Sequence, residues 1–288
     1  KGGVLGIKTP FYAMNQAFFG WQPGFVYVIG ARPGIGKSAL MKSCILHSIL
    51  NGIKCKIFSL EMTATQMMNG LLTEGAEVDN KRFSTGDITE DEWRRIEGLR
   101  SRIVPYLEID AKPAITVQYL ESQVRKFAQR GGKLIAIDYL QLMKLRKEDA
   151  KGKMREGEIA FLTGNIKRIA KEYNIPVIEL SQLSRDIEKR AGDKRPQLSD
   201  LRESGAIEQD AEVIILIQRP EADGITEDKN GVSVAGIAKL VIAKNRFGPC
   251  IDVKVAFTKH LTRYSPLETL DSTKNVIMKE TQTEIDLF

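Results

Sequence analysis

Cysteine and histidine are scarce in this 288-residue chain, which has three of the first and two of the second. Cys44, Cys55 and Cys250 stand far apart with no CxxC pair, and His47 and His260 have no companion ligand nearby in sequence. Neither a disulfide scaffold nor a structural zinc site is therefore expected. No apolar run approaches the ~20 residues of a membrane helix, so no membrane partner is expected. The opening KGGVLGIKTP lacks the apolar core of a secretory signal and lacks an initiator Met, which reads as a fragment or a processed chain. A reducing, cytoplasmic setting follows.

What is present is ordinary for a globular α/β protein. Hydrophobic residues at 42% and charged residues at 28% argue against a disordered chain. With 43 Lys+Arg against 37 Asp+Glu, the net charge of +6 permits a polyanionic partner without demanding one. There is no internal repeat. Short apolar runs at 25–29, 56–60, 134–138 and 175–180 alternate with helical patterns at 38–51, 64–75, 89–103, 116–130 and 154–173. That alternation predicts βαβ units and a mainly parallel sheet flanked by helices. Runs at 213–217, 237–243 and 251–257 lack helices between them and are expected to form an antiparallel edge extension. The polar stretches 184–199 and 221–230 read as exposed, mobile loops, and the tail after Pro266 as polar and disordered.

One segment carries chemistry by itself. Gly30-Ala31-Arg32-Pro33-Gly34-Ile35-Gly36-Lys37-Ser38-Ala39 follows a strand pattern and opens a helix pattern, the setting of a nucleotide phosphate loop. Glycines let successive backbone N–H groups turn towards phosphate oxygens. Lys37 then reaches the β and γ phosphates of the nucleotide, and the Ser38 hydroxyl binds Mg²⁺. Ala31 replaces the usual first glycine. The strand 134–138 ends on Asp138, placed to hold the same Mg²⁺ through its water shell. Glu61, just past a strand expected to lie beside the phosphate-loop strand, is a candidate for the base that orients water, though a first-turn helical Glu is as good a reading. Gln182, after the strand 175–180, could sense the γ-phosphate, and a polar loop residue is the plainer reading.

ARPGIGKSA, FSLEM, IAIDYLQLM, IELSQLSR, SDLRESGAIEQDA and AKNRFGP occur in this order between about Gly6 and Tyr264. Together they resemble the motifs of the DnaB-type replicative helicase, in its RecA-like motor domain. ARPxxGK[ST] is that family's own phosphate loop, which accounts for Ala31. The resemblance implies a P-loop NTPase fold and an ATP-dependent DNA helicase that works as a homo-hexamer, in a bacterial cell or a phage-infected host. It implies that Glu61 is the catalytic base and that Gln182 couples the γ-phosphate to DNA. It implies too that Lys244 and Arg246 act in trans on a neighbour's ATP, and that Arg202, Glu203 and Gly205 contact single-stranded DNA. Arg185, with Arg190, Lys194 and Arg195, would sit on a basic loop near the pore, where a solvated basic loop is an equal reading.

Residues 1–20 are then the remnant of a linker to a missing N-terminal domain, 21–266 the motor, and 267–288 a tail. A primase and a helicase loader are the further partners implied. The ending from Gln282 to Phe288 resembles a sliding-clamp peptide. Many family members stack an Arg on the nucleotide base where this chain has Gly70, so base stacking should be weaker or come from elsewhere. Three rivals stay open at this point: a filament-forming recombinase ATPase, a RecA-like signalling ATPase that binds no nucleic acid, and a nucleotide-binding module without turnover. Glu61 speaks against the last.

Overall fold

The central strands are buried on both faces, which is why they read as unbroken apolar runs rather than alternating ones. In the computed structural model every residue of β1 (Val26–Ala31), β2 (Cys55–Ser59), β4 (Leu134–Asp138) and β6 (Val213–Gln218) is buried. Between them come β3 (Leu107–Asp110) and β5 (Val177–Gln182), and after them β7 (Ile237–Asn245), β8 (Asp252–Thr258) and β9 (Arg263–Ser265). The structure describes residues 4–150, 154–184, 186–190, 194–201, 204–228 and 230–267.

The nine strands form one sheet in the order β3-β2-β4-β5-β1-β6-β7-β8-β9. Pairing is parallel from β3 through β6 and antiparallel from β6 through β9. The parallel core with an antiparallel edge is the fold expected. One detail differs: β2 does not lie beside β1, because β4 and β5 fill the space between them. The crossover after β1 passes over two strand positions, and later strands fill the gap. The edge strands β3 and β9 are short, and their runs are too brief to stand out in sequence.

Helices cover both faces. On one side lie α1 (Tyr12–Phe18), α2 (Lys37–Leu50), α3 (Ala64–Ala76), α4 (Asn80–Thr85) and α5 (Glu90–Ile103), packed on a core that includes Met14, Trp21, Leu40, Ile45 and Leu71. On the other lie α6 (Val117–Gln129), α8 (Arg155–Tyr173) and α10 (Ser204–Asp210) over Leu120, Val124, Leu162 and Ile207, with the short α7 (Lys147–Ala150) and α9 (Asp186–Lys189) in the connections. Residues near the start of the chain are part of this body. Phe18, Trp21 and Tyr27 cluster with ring centroids 4.9–5.6 Å apart, and Ile7 bridges Trp21.

Helix starts show why the phosphate loop stands out. Thr63 with Gln66, and Thr89 with Glu92, close reciprocal capping boxes on α3 and α5. The start of α2 has no side-chain cap and no acidic residue in its first turn. Its N-cap is Gly36 at φ +108°, a left-handed conformation that a β-carbon resists. The free amides and the positive end of the helix dipole thus face outward together.

The described residues of both polar stretches make contacts with the body. In the first, Ile187 is buried, Arg190 pairs with the buried Asp200 at 2.5 Å, and Arg195 grips Asp252 with two bonds of 2.7 Å. In the second, Pro220–Asp223 forms a 3-10 turn with Pro220 buried. Arg195 ties the first stretch to β8 through Asp252, and Asp223 of the second pairs with Arg32. The tail, including Gln282–Phe288, lies outside the described residues.

Candidate active site

The carboxyl ends of the parallel strands converge on the start of α2, the edge at which an open α/β sheet binds ligands. A cleft of about 410 Å³ opens there, lined by Arg32, Pro33, Gly34, Gly36, Lys37, Ser38, Ala39, Glu61 and Gln182 among others. Ala31 and Ile35 are buried just behind it. Residues read separately along the sequence thus come together. β1 and β5 are paired so that Ala31 is the register partner of Gln182, which carries Gln182 to the loop. β2 and β4 pair Ser59 with Asp138, and Leu60 N–H donates to the Asp138 carbonyl at 2.7 Å. That pairing sets Glu61 next to the end of β4 even though β2 is not adjacent to β1.

Lys37 is the hub. Its Nζ is 3.2 Å from Asp138 Oδ1 and 3.4 Å from Glu61 Oε2, and 4.5 Å from the Tyr139 ring centre. The two carboxylates differ in surroundings. Asp138 is fully buried behind Lys37, while the Glu61 side chain is 54% exposed at the cleft mouth. Asp138 Oδ2 has no hydrogen-bond partner among the described residues. A buried carboxylate oxygen left unpaired, with Ser38 lining the same cleft, is a donor set that fits a hydrated Mg²⁺.

The loop is braced by residues the sequence did not single out. Arg32 pairs with the buried Asp223 and lies 4.0 Å from Glu188. Tyr264 Oη donates to the Ile35 carbonyl at 2.9 Å, and a β-carbon at Gly36 would stand 2.9 Å from that same oxygen of Tyr264. Arg219 donates to Ile35 O at 3.4 Å and lies over the Phe257 ring. Burial raises the Tyr264 phenol well above its ordinary range, so it stays a donor. Asp223, Arg219 and Tyr264 sit on the antiparallel side of the sheet or its turns, and no local pattern marks them.

Lys244 and Arg246 are not in this cleft. They sit at the end of β7 and at the turn beyond it, and they cap the carboxyl end of α10. Lys244 Nζ donates to Glu208 O, Arg246 Nη2 donates to Gln209 O at 2.9 Å, and Lys167 donates to Asp210 O at 2.7 Å. Cations at those carbonyls complement the helix dipole. Arg246 is nonetheless half exposed and lies 3.7 Å from the buried Glu212. Burial lowers the Lys244 ammonium below its usual range, and neighbouring Arg246 adds to this. Gly205 is exposed near the start of α10, and Glu156 Oε1 lies 3.9 Å from the place a β-carbon would take. Arg185, Arg202 and Glu203 lie outside the described residues.

Residues 6–266 match the family model described as the DnaB-like helicase C terminal domain. A replicative DNA helicase DnaB of Buchnera aphidicola from Acyrthosiphon pisum is 37% identical over 267 residues, covering 91% of this chain and 56% of the relative. A replicative DNA helicase DnaC of Bacillus subtilis is 35% identical over 274 residues, covering 93% and 58%. The chain therefore spans a little over half the length of these curated relatives. Among solved structures, an ATPase domain superposes with a TM-score of 0.84 at 30% identity, covering 93% of each chain. A DnaB-like replicative helicase, described with its interactions with primase, gives 0.84 at 30% identity over 92% of this chain and 63% of its own.

Proposed function

The chain belongs to the family of DnaB-like helicase C-terminal domains, and from that footing we propose that it is an ATP-hydrolysing motor that moves on single-stranded DNA as a subunit of a hexameric ring. The observation that carries this reading is the convergence on Lys37 of a buried and an exposed carboxylate at the strand ends. Lys37 and the amides opening α2 bind the phosphates of ATP. Ser38 and Asp138 hold a hydrated Mg²⁺, which when bound neutralises charge on the phosphate oxygens. Glu61, exposed and within reach of the γ-phosphate end, accepts a proton from the attacking water. Gln182 touches the γ-phosphate and, through β5, reports its presence to the segment that follows.

Lys244 and Arg246 serve a neighbouring subunit's nucleotide, since both lie away from their own cleft. Gly205, with Arg202, Glu203 and Arg185, follows the phosphates of the DNA strand without reading bases. A primase is a further partner of the whole ring, by analogy with the DnaB-like helicase described with one.

The test is steady-state ATP hydrolysis beside nucleotide binding. Lys37→Ala is expected to lose both. Glu61→Gln is expected to bind ATP normally and to hydrolyse it at least ~100-fold more slowly. Parental hydrolysis rates in both variants would overturn the assignment.

A further inference from the structure

Lys42 is a cation with no counterpart in the site as described so far. It lies on α2 one turn beyond Ser38, so the two share a helix face. It lines the same cleft as Lys37, Ser38 and Ala39. The residue is only 6% exposed, and among the described residues no ion pair or hydrogen bond holds its ammonium, which borders the open cleft. An ammonium mostly withdrawn from water is better placed when an anion meets it. Glu74 and Asp138 attract it from a distance, but burial outweighs them and lowers its affinity for a proton. Glu74 is itself buried, with Oε2 unpartnered and its carboxyl pushed up to about 7, so it is a poor counter-ion.

Space for this ammonium comes from α3. A β-carbon at Gly70 would stand 2.4 Å from Lys42 Nζ, so any larger residue there requires the ammonium to move. Gly70 is a glycine inside a helix, a position where Ala is favoured by ~1 kcal/mol. Its φ is not in the left-handed region, and backbone geometry gives no reason for it. The missing side chain is matched to the Lys42 head group instead. Helical side chains lean towards the helix N-terminus, which directs this head group back to the phosphate-loop end of the cleft.

We propose that Lys42, seated over Gly70, is a second ammonium of the nucleotide site that binds an anionic oxygen of the ligand's phosphates. This rests on the cleft being a nucleotide site, as proposed above. The apolar, near-isosteric Lys42→Met removes the charge and keeps the packing. Gly70→Ala keeps the lysine and displaces its head group.

Titration of the protein with fluorescent mant-ADP and mant-ATP, beside thermal melting without nucleotide, separates the possibilities. Lys42→Met is expected to weaken both nucleotides at least five-fold and to leave the melting temperature unchanged or higher, since no ion pair is lost with the charge. Gly70→Ala is expected to weaken both nucleotides without lowering the melting temperature, and Lys42→Arg to retain more affinity than Lys42→Met. If the parent binds nucleotide and Lys42→Met binds it within two-fold as well, the role of Lys42 is overturned and the nucleotide site stands. If the parent binds neither nucleotide, both readings fall.

Discussion

Ala31 and Gln182 are register partners on two adjacent parallel strands, so the first residue of the phosphate-loop motif and the last residue of β5 stand directly opposite each other. Beyond Gln182 the chain stays attached to the site. Leu183 N–H donates to Ala31 O at 3.0 Å, and Leu183 bridges Leu201 at the threshold of the SDLRESGAIEQDA segment. A contact made at the cleft therefore has a short, hydrogen-bonded route to the proposed DNA segment.

Gln182→Ala removes the sensing amide while leaving that backbone route. It should bind ATP like the parent, but its hydrolysis rate with single-stranded DNA should fall several-fold, towards the DNA-free rate. Parallel nucleotide-binding and hydrolysis assays check this. Full DNA stimulation in the variant would remove Gln182 from the coupling.

Lys244 and Arg246 cap the carbonyls that end α10, and Gly205 lies near its start. If Arg246 acts on a neighbour's ATP, Arg246→Ala and Lys37→Ala should each be inactive alone and recover activity when mixed. Random rings from equal amounts pair an intact site with an intact Arg246 at about a quarter of interfaces, which sets the expected rate, because an arginine finger is worth ~10³–10⁵ in turnover. Mixing without any recovery would place Arg246 in its own subunit's structure, as the Gln209 cap alone. Arg246→Lys, which can keep that cap, separates folding from turnover.

Glu179 is fully buried in the middle of β5 with Oε1 unpartnered, and burial plus the nearby Asp210 carboxylate raise its carboxyl to about 8. Between the ordinary value of 4.5 and about 8, the folded state holds a proton that the unfolded state has released. Stability must therefore fall as pH rises through that window, and level off above it. Glu179→Gln should make this slope shallower in denaturant melts taken from pH 5 to 8, with the buried Glu74 carboxyl, raised to about 7, contributing the remainder. An identical slope in the variant would mean the group titrates elsewhere.

The parts of the site that lie within single segments were legible from the chain. The phosphate loop, Asp138 at a strand end and Glu61 within FSLEM each have a local pattern of glycines, apolar runs or flanking motif. The parallel core and antiparallel edge followed from the presence and absence of helices between apolar runs. What could not be read was order and bracing. The separation of β2 from β1 is decided by two strands far downstream, β4 and β5. Asp223 reaches Arg32, and Tyr264 reaches Ile35, across most of the chain. Lys42 reads as one polar residue within a mostly buried helix, and only its position over Gly70 sets it apart. Lys244 and Arg246 read as basic residues of an edge turn, and only the family motif marked them.

The most direct test of the motor reading is steady-state ATP hydrolysis with and without single-stranded DNA, at low salt, because phosphate contacts weaken steeply as salt rises. The account predicts a rate that single-stranded DNA stimulates several-fold, that Lys37→Ala abolishes, and whose stimulation fades as salt is added. Hydrolysis that is indifferent to DNA, at protein concentrations where rings are seen by negative stain, would contradict it and leave an ATPase with no nucleic-acid partner.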